Sequence, residues 1–351
     1  MISYQFMEHG KPLQKVLQDT PKPKGTEVLV RITRSGVCHS DLHIWDGYFD
    51  WGGGKRFYVK ERGCVPPFTL GHEPFGVVEA FGPKAKNVRI GQKRIVYPWI
   101  GCGKCAICKS GQDNYCVSGS RFLGVNRPGA YASHVLVPHP KYLVDAGGID
   151  NAFACTLACS GLTTYSAVAK LPALGPKDWV AVLGCGGLGL VCISVLRAQG
   201  VKNIIACDID PAKLEAAKKL GAKLTLDTRV PDSTPKLQAL AMGQLAGAID
   251  LVGMPATAAL GLGALRKGGR YVLCGLFGGE LTHPLPPFAQ RAIGLIGSYV
   301  GNLQELKEVV ALAKKKKLKP TPVLTRPASE VNGILEDLKA GKVLGRVVLA
   351  F

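Results

Sequence analysis

The chain has 351 residues, 47% of them apolar and 20% charged. That length and apolar content suffice to bury a core, which excludes wholesale disorder, and twelve Cys in 351 residues do not make a small disulfide-stapled scaffold. The 44 Lys and Arg against 25 Asp and Glu leave a formal net charge of +19, which raises nucleic acid or an anionic membrane as partners.

The N-terminus, MISYQFMEHGKPLQ, has no basic head followed by an apolar core. Without such a signal, twelve Cys point to the cytoplasm and to metal binding rather than disulfides. Residues 26–34 alternate apolar and polar and predict a strand, and residues 66–140, dense in Gly, Pro and Val, predict an irregular β-rich region. From about Leu162 the texture changes. Helices are expected over 163–170, 188–199, 211–220 and 302–318, the last Lys-rich and amphipathic. Strands are expected over 179–183, 203–206, 248–252, 271–275 and 346–351. Trp179 to Leu196 approaches the length of a membrane helix, but Gly184, Gly186, Gly187 and Gly189 interrupt it, so strand, turn and helix fit better. Alternating strands and helices at this spacing imply an α/β fold with a doubly wound parallel sheet.

Gly184-Cys185-Gly186-Gly187-Leu188-Gly189 matches G-x-G-x-x-G between the expected strand and helix, and Asp208 lies 19 residues beyond Gly189 at the end of the next strand. In that context the glycines allow a tight turn, close approach of a pyrophosphate and close helix–strand packing. Asp208 can accept hydrogen bonds from both adenosine ribose hydroxyls and repels a 2′-phosphate, which favours NAD over NADP.

Cys102, Cys105, Cys108 and Cys116 form C-x2-C-x2-C-x7-C, which can wrap one tetrahedral zinc with no open position, a structural site. The spacing differs from both ferredoxin patterns, and iron–sulfur or free thiols are the alternatives. A second, open site can draw on Cys38, His72 and one of Cys155 and Cys159, because catalytic zinc takes three protein ligands and leaves a fourth place free. Spacing alone does not choose between Cys155 and Cys159, and a lone buried Cys or His can equally be packing.

These stretches together resemble the zinc-containing medium-chain alcohol dehydrogenases along nearly the whole chain. The matching segments are Cys38-His39-Ser40-Asp41-Leu42-His43, Gly71-His72-Glu73, the four-Cys lobe, Ala158 to Thr163, Gly184 to Gly189 and Gly297 to Asn302. The short stretch from Cys116 to Ala130 resembles the yeast and bacterial tetrameric members. The resemblance implies a GroES-like catalytic domain over 1–160 and 300–351 and a Rossmann coenzyme domain over 161–299. It implies two zinc ions per chain, NAD, an alcohol or carbonyl substrate, a homotetramer, and neither nucleic acid nor membrane as partner. It selects Cys159, with Cys38 and His72, as ligands of the catalytic zinc, and sets Glu73 beside the metal. Asp41 matches the acid that orients the ligand His. Ser40 matches the hydroxyl that meets the substrate oxygen, and His43 the histidine that passes the proton on. His39 and Arg346 match positions at the pyrophosphate.

Cys38 and His72 are 34 residues apart, farther than in the yeast-like members. The extra segment, within Asp46 to Pro67, holds Tyr48, Phe49, Trp51, Phe57 and Tyr58 with Lys55, Arg56, Lys60 and Arg62. It is expected either to wall the cleft with aromatic rings, admitting bulky or cyclic alcohols, or to form a surface loop at a subunit contact. Phe49, Tyr97 and Trp99 are candidate pocket residues. Related chemistries on polyols, aldehydes or anionic acyl-thioesters are the alternative. A basic zinc-ribbon reading finds little support, since Lys104 and Lys109 are the only basic residues inside the Cys lobe.

Overall fold

A computed structural model describes residues 1–351. Its largest sheet is an antiparallel, barrel-like array built around the long strand Val28–Val37. On one side this strand pairs with Pro74–Phe81, which leads to Lys93–Val96 and Leu143–Asp145. On the other it pairs with Arg346–Ala350, the last strand of the chain, which runs parallel to Val323–Pro327. The C-terminal strand therefore closes a sheet begun more than 300 residues earlier, as its run of Val and Leu suggests. A small sheet of Gln14–Leu17, Ile2–Phe6 and Phe68–Thr69 covers one side.

The second sheet has six strands, all parallel, in the spatial order Leu224–Asp227, Ile204–Asp208, Trp179–Leu183, Leu245–Asp250, Arg270–Leu273, Gly294–Gly297. Trp179–Leu183 is buried at all five positions because helices cover both faces, so it reads as an unbroken apolar run rather than an alternation. The sequence of expected strands holds, with Trp179–Leu183 as expected and the other ends shifted by up to three residues. Leu224–Asp227 and Gly294–Gly297 go unannounced because they are short, partly exposed edge strands.

The two sheets are joined by one continuous helical run, Asn151–Thr156, a π-helical turn Leu157–Gly161, and Leu162–Val168. The Lys-rich helix is shorter than expected, ending at Lys314, with Lys315 to Lys317 in the turn beyond it. The inserted segment forms a hairpin, Tyr48–Gly52 with Lys55–Tyr58, closed by the 3-10 turn Val59–Arg62. Its tip reaches across to the parallel-sheet half: a Cβ on Gly52 would lie 2.8 Å from the Gly279 carbonyl oxygen, and one on Gly278 would lie 2.5 Å from the Asp50 Cβ. No helix is long and apolar enough to cross a membrane.

Candidate active site

Cys38 ends the strand Val28–Val37 and caps the helix His39–Asp46. Asp41, in that helix's first turn, accepts a 2.9 Å hydrogen bond from the Cys38 amide, which fixes the turn. His72 and Glu73 lie just before the strand Pro74–Phe81, hydrogen-bonded beside Val28–Val37. Cys159 sits in the π-turn. These three routes bring ligand atoms of Cys38, His72, Glu73 and Cys159 within 4.8 Å of one another, all buried. Cys155, one turn earlier, faces away and donates its thiol to the Ala152 carbonyl.

Asp41 Oδ1 lies 3.1 Å from His72 Nδ1, while its Oδ2 also accepts from the Tyr131 hydroxyl at 2.9 Å. That pairing leaves His72 Nε2 toward the two sulfurs, buried and without a hydrogen-bond partner. The Cys38 thiol is held well below its ordinary range because it accepts from Cys159 and faces His72, which together outweigh burial. Burial opposes a charge on His72, but Asp41 and Cys38 overcome it and push the imidazole up. Two buried thiols and an imidazole converging on one point make a cluster built for a cation. Two thiolates and one imidazole are a ligand set suited to zinc with one place open. Glu73 is pushed up to about 7 by burial, against the pull of Arg346. Arg346 is itself buried and bonds Glu73 at 2.5 Å.

The second cluster gathers Cys102, Cys105, Cys108 and Cys116 within the same 4.8 Å limit. Backbone amides of Lys104 and Cys105 each point at the Cys102 sulfur at 3.4 Å, and Cys102 N lies 3.3 Å from the Cys116 sulfur. The Lys104 and Cys105 amides pull Cys102 down to about 6. Amides aimed at sulfur in this way suit four thiolates around a tetrahedral metal.

On the parallel sheet, Gly184 adopts φ +88° at the end of its strand. A Cβ on Gly189 would lie 1.9 Å from the Gly184 carbonyl oxygen, whereas one on Gly186 would meet nothing within 4 Å. The first is packing and the second is empty room at a helix N-terminus, the space a pyrophosphate needs. Gly187 and Leu188 open the helix Gly187–Ala198. Asp208 receives the Cys185 amide at 2.6 Å and the Asp210 amide at 2.9 Å, so its carboxylate is anchored beside the turn. Arg346 joins the two centres: a Cβ on Gly187 would lie 2.7 Å from the Arg346 Cδ.

His43 packs 4.9 Å from Phe49 and 5.4 Å from His39, and His39 stacks on Phe277 at 4.6 Å. Burial lowers both histidines below their ordinary range. Ser40 lies between them in the same helix, half-buried. Trp99 lies with its ring 5.4 Å from that of His72 and donates to the Ala158 carbonyl. Tyr97 is fully buried, stacks on Tyr142 at 6.1 Å and donates its hydroxyl to the Gly301 carbonyl. The inserted hairpin presents Phe49 to His43. Trp51 and Tyr58 are exposed, and the segment sends Glu61 and Arg62 to the cleft near Tyr299. Phe277, Tyr131, Asn114 and Tyr299 were not singled out from sequence. Asn114 and Tyr299 lie in stretches that carried the resemblance; Phe277 and Tyr131 do not.

A parallel nucleotide-binding sheet, an antiparallel barrel and two Cys-rich metal clusters define a metal-dependent dinucleotide dehydrogenase. The alcohol dehydrogenase GroES-like domain family matches residues 24–146, and the zinc-binding dehydrogenase family matches residues 187–315. The chain is similar to the NAD-dependent alcohol dehydrogenase of Sulfurisphaera tokodaii, 38% identical over 99% of both chains. It is 36% identical to the NAD-dependent alcohol dehydrogenase of Saccharolobus solfataricus, again over 99% of both. The crystal structure of the alcohol dehydrogenase from the hyperthermophilic archaeon Aeropyrum pernix superposes with a TM-score of 0.90 at 32% identity, covering 100% of both chains. The chain belongs to the zinc-containing medium-chain alcohol dehydrogenase family.

Proposed function

We propose that this chain is an NAD-dependent zinc alcohol dehydrogenase that interconverts alcohols with aldehydes or ketones. The observation that carries this reading is Arg346, which touches Glu73 of the metal cluster and Gly187 of the coenzyme turn and so sets the two centres side by side. Cys38, His72 and Cys159 would hold the catalytic zinc, and Cys102, Cys105, Cys108 and Cys116 a structural one. Zinc supplies Lewis acidity at the substrate oxygen, and NAD accepts the hydride. Asp41 fixes the His72 tautomer so that Nε2 is the ligand atom. The Ser40 hydroxyl takes the proton of the substrate hydroxyl, and His43, kept neutral by burial, accepts it from Ser40 and releases it outward. The open space at Gly186, the helix N-terminus at Gly187 to Gly189, His39 and Arg346 hold the pyrophosphate, and Asp208 holds the adenosine ribose. Phe49 covers His43, while Trp99 keeps water from His72.

The sheet pairings support a catalytic domain over 1–160 and 300–351 and a coenzyme domain over 161–299. A homotetramer is supported by the unpaired edge strand Gly294–Gly297 with exposed Leu295, Leu285 and Leu281 nearby in sequence. Twelve unpaired Cys support a reducing, cytoplasmic location. NADH formation with a panel of primary, secondary and cyclic alcohols tests the activity. Absence of NAD reduction by zinc-loaded protein across the panel refutes it.

A further inference from the structure

Asp41 aims the His72 imidazole, yet a carboxylate turns easily about its last bond, because that torsion has no narrow staggered wells. Two donors hold it. The Cys38 amide and the Tyr131 hydroxyl each donate to Asp41 Oδ2 at 2.9 Å. Donors that reach one oxygen from different elements fix the plane of the carboxylate, which leaves Oδ1 3.1 Å from His72 Nδ1. The Cys38 amide belongs to the same helical turn as Asp41 and moves with it. Tyr131 stands 90 residues away in the chain and supplies a reference outside that turn.

Tyr131 is itself tightly placed. It is fully buried, its amide donates to the Leu70 carbonyl at 2.9 Å, and its carbonyl accepts from the Tyr4 amide at 2.8 Å. The neighbouring Ala130 amide donates to the Gly71 carbonyl at 2.8 Å. The ring also meets the turn that carries the ligand. Gly71 adopts φ +98°, and a Cβ there would lie 2.5 Å from Tyr131 Cδ1, so the ring rests on the backbone just before His72. Tyr131 therefore holds His72 from two sides, with its ring at Gly71 and its hydroxyl at Asp41. A residue that only filled this space would need the ring alone. A phenol keeps its proton at neutral pH, so the hydroxyl is a lasting donor to the carboxylate.

We propose that Tyr131 is a positioning residue for the catalytic metal: its hydroxyl locks the Asp41 carboxylate, so that His72 presents Nε2 to the two sulfurs before a metal binds. The proposal rests on the reading that Cys38, His72 and Cys159 hold zinc, and it adds a layer outside the Asp41–His72 pair. Ligands aligned in advance bind a metal more tightly, because less ordering is left to be done on binding.

Tyr131→Phe keeps the ring on Gly71 and removes only the hydroxyl. Its affinity for Zn2+ at the Cys38–His72–Cys159 site should fall about tenfold in chelator competition, the lower end of the range for groups that orient a ligand from outside. The four-Cys zinc serves as the unchanged internal reference. With Co2+ in the same site, the visible absorption bands should move, because the imidazole is no longer fixed in one orientation. Tyr271→Phe is the matched control: its buried hydroxyl also donates to a buried carboxylate, that of Asp250, but in the coenzyme half. It should lose stability with Zn2+ affinity and cobalt bands unchanged. In an Asp41→Ala background, Tyr131→Phe should change the affinity by less than about twofold, because residues that act through one another are not additive. That result supports the proposal even if Tyr131→Phe alone fails to fold, and a further loss of about tenfold in that background overturns it. Unchanged affinity and bands in Tyr131→Phe, or an equal loss in Tyr271→Phe, overturns the proposal while the metal reading stands. Failure of the parent protein to bind Zn2+ beyond the four-Cys ion overturns both.

Discussion

Cys155 and Cys159 stand one turn apart in the same helical run, yet they meet opposite fates. The Cys155 thiol spends its hydrogen on the Ala152 carbonyl and is pushed well up by burial, whereas Cys159 faces Cys38 and His72. Cys159→Ala is expected to lose one of two zinc ions per chain and nearly all turnover, while Cys155→Ala keeps both ions. Metal analysis of the purified variants checks this, and equal zinc in the two would reject the assignment. Asp41→Asn keeps the shape but weakens the hold on His72, so the affinity for one zinc should fall about 10- to 100-fold. Chelator competition measures it, with the four-Cys zinc unchanged as the internal control. The four-Cys ligands could be read from the sequence because they are adjacent in the chain. The second cluster could be read only as far as Cys38, His72 and one of two cysteines, and the choice of Cys159 came through the family resemblance, because these residues meet through sheet pairing and a π-turn that no local pattern records. Tyr131 was not legible at all, since a Tyr in a β-rich stretch carries no mark of reaching a buried carboxylate.

At the scale of the strand–turn–helix element, neighbouring glycines have different reasons for being Gly. Gly189→Ala forces a Cβ onto the Gly184 carbonyl, which is backbone and cannot step aside. It is expected to cost about 1–3 kcal/mol of stability or more, read by denaturant unfolding. Gly186→Ala meets no atom of the protein, so the fold should hold while the methyl group takes pyrophosphate space. Its NAD dissociation constant should rise with no change in melting temperature. A fall in melting temperature equal to that of Gly189→Ala would contradict this division. The motif was readable because strand, glycines and Asp208 occur in order within a short span. The inserted hairpin was not. A two-stranded ribbon is marginal by itself, and this one takes its order from Gly279 and Glu280 across the cleft, contacts distant in sequence. Its aromatic residues suggested either an inner wall or a surface loop; Trp51 and Tyr58 face outward, while Phe49 lies against His43. Deleting Gly52 to Arg62 removes the hairpin's contact with Gly279 and Glu280 and is expected to alter relative kcat/KM between small and bulky alcohols, measured across a substrate panel.

For the whole molecule, the charge of +19 proves to be spread rather than focused. Part of it is answered by ion pairs between distant segments, such as Lys314 and Arg94 with Asp145 and Arg266 with Asp178. Burial pushes Asp178 up, but the Arg266 guanidinium outweighs it and holds the carboxyl below its usual range. A depressed carboxyl contributes stability that is fully present above its unfolded pKa of about 3.9 and is lost as pH falls through the lower folded value. Arg266→Ala should cost about 0.5–1 kcal/mol at neutral pH, given the partial exposure of the pair. The deficit should shrink below about pH 4, and urea titrations of both proteins across that range test the sign. The sequence disclosed the order of the parallel strands well, because buried strands between helices leave apolar runs of fixed length. The barrel was harder, since its strands pair across the chain's full span and the last one joins a strand near the first.

The π-turn at Leu157–Gly161 has a consequence for descent. Such a turn holds one residue more than the α-helix around it. Removing a single residue there would restore a regular helix but rotate everything downstream by about 100°. Leu162, Thr163 and Thr164, now buried against the coenzyme half, would swing out of phase with the sheet they cover. The run is thus intolerant of changes in length, and indels in this family should be rare between Asn151 and Val168 even where loops vary freely. A library of single-residue deletions scored for soluble protein would show that pattern as a gap over these positions.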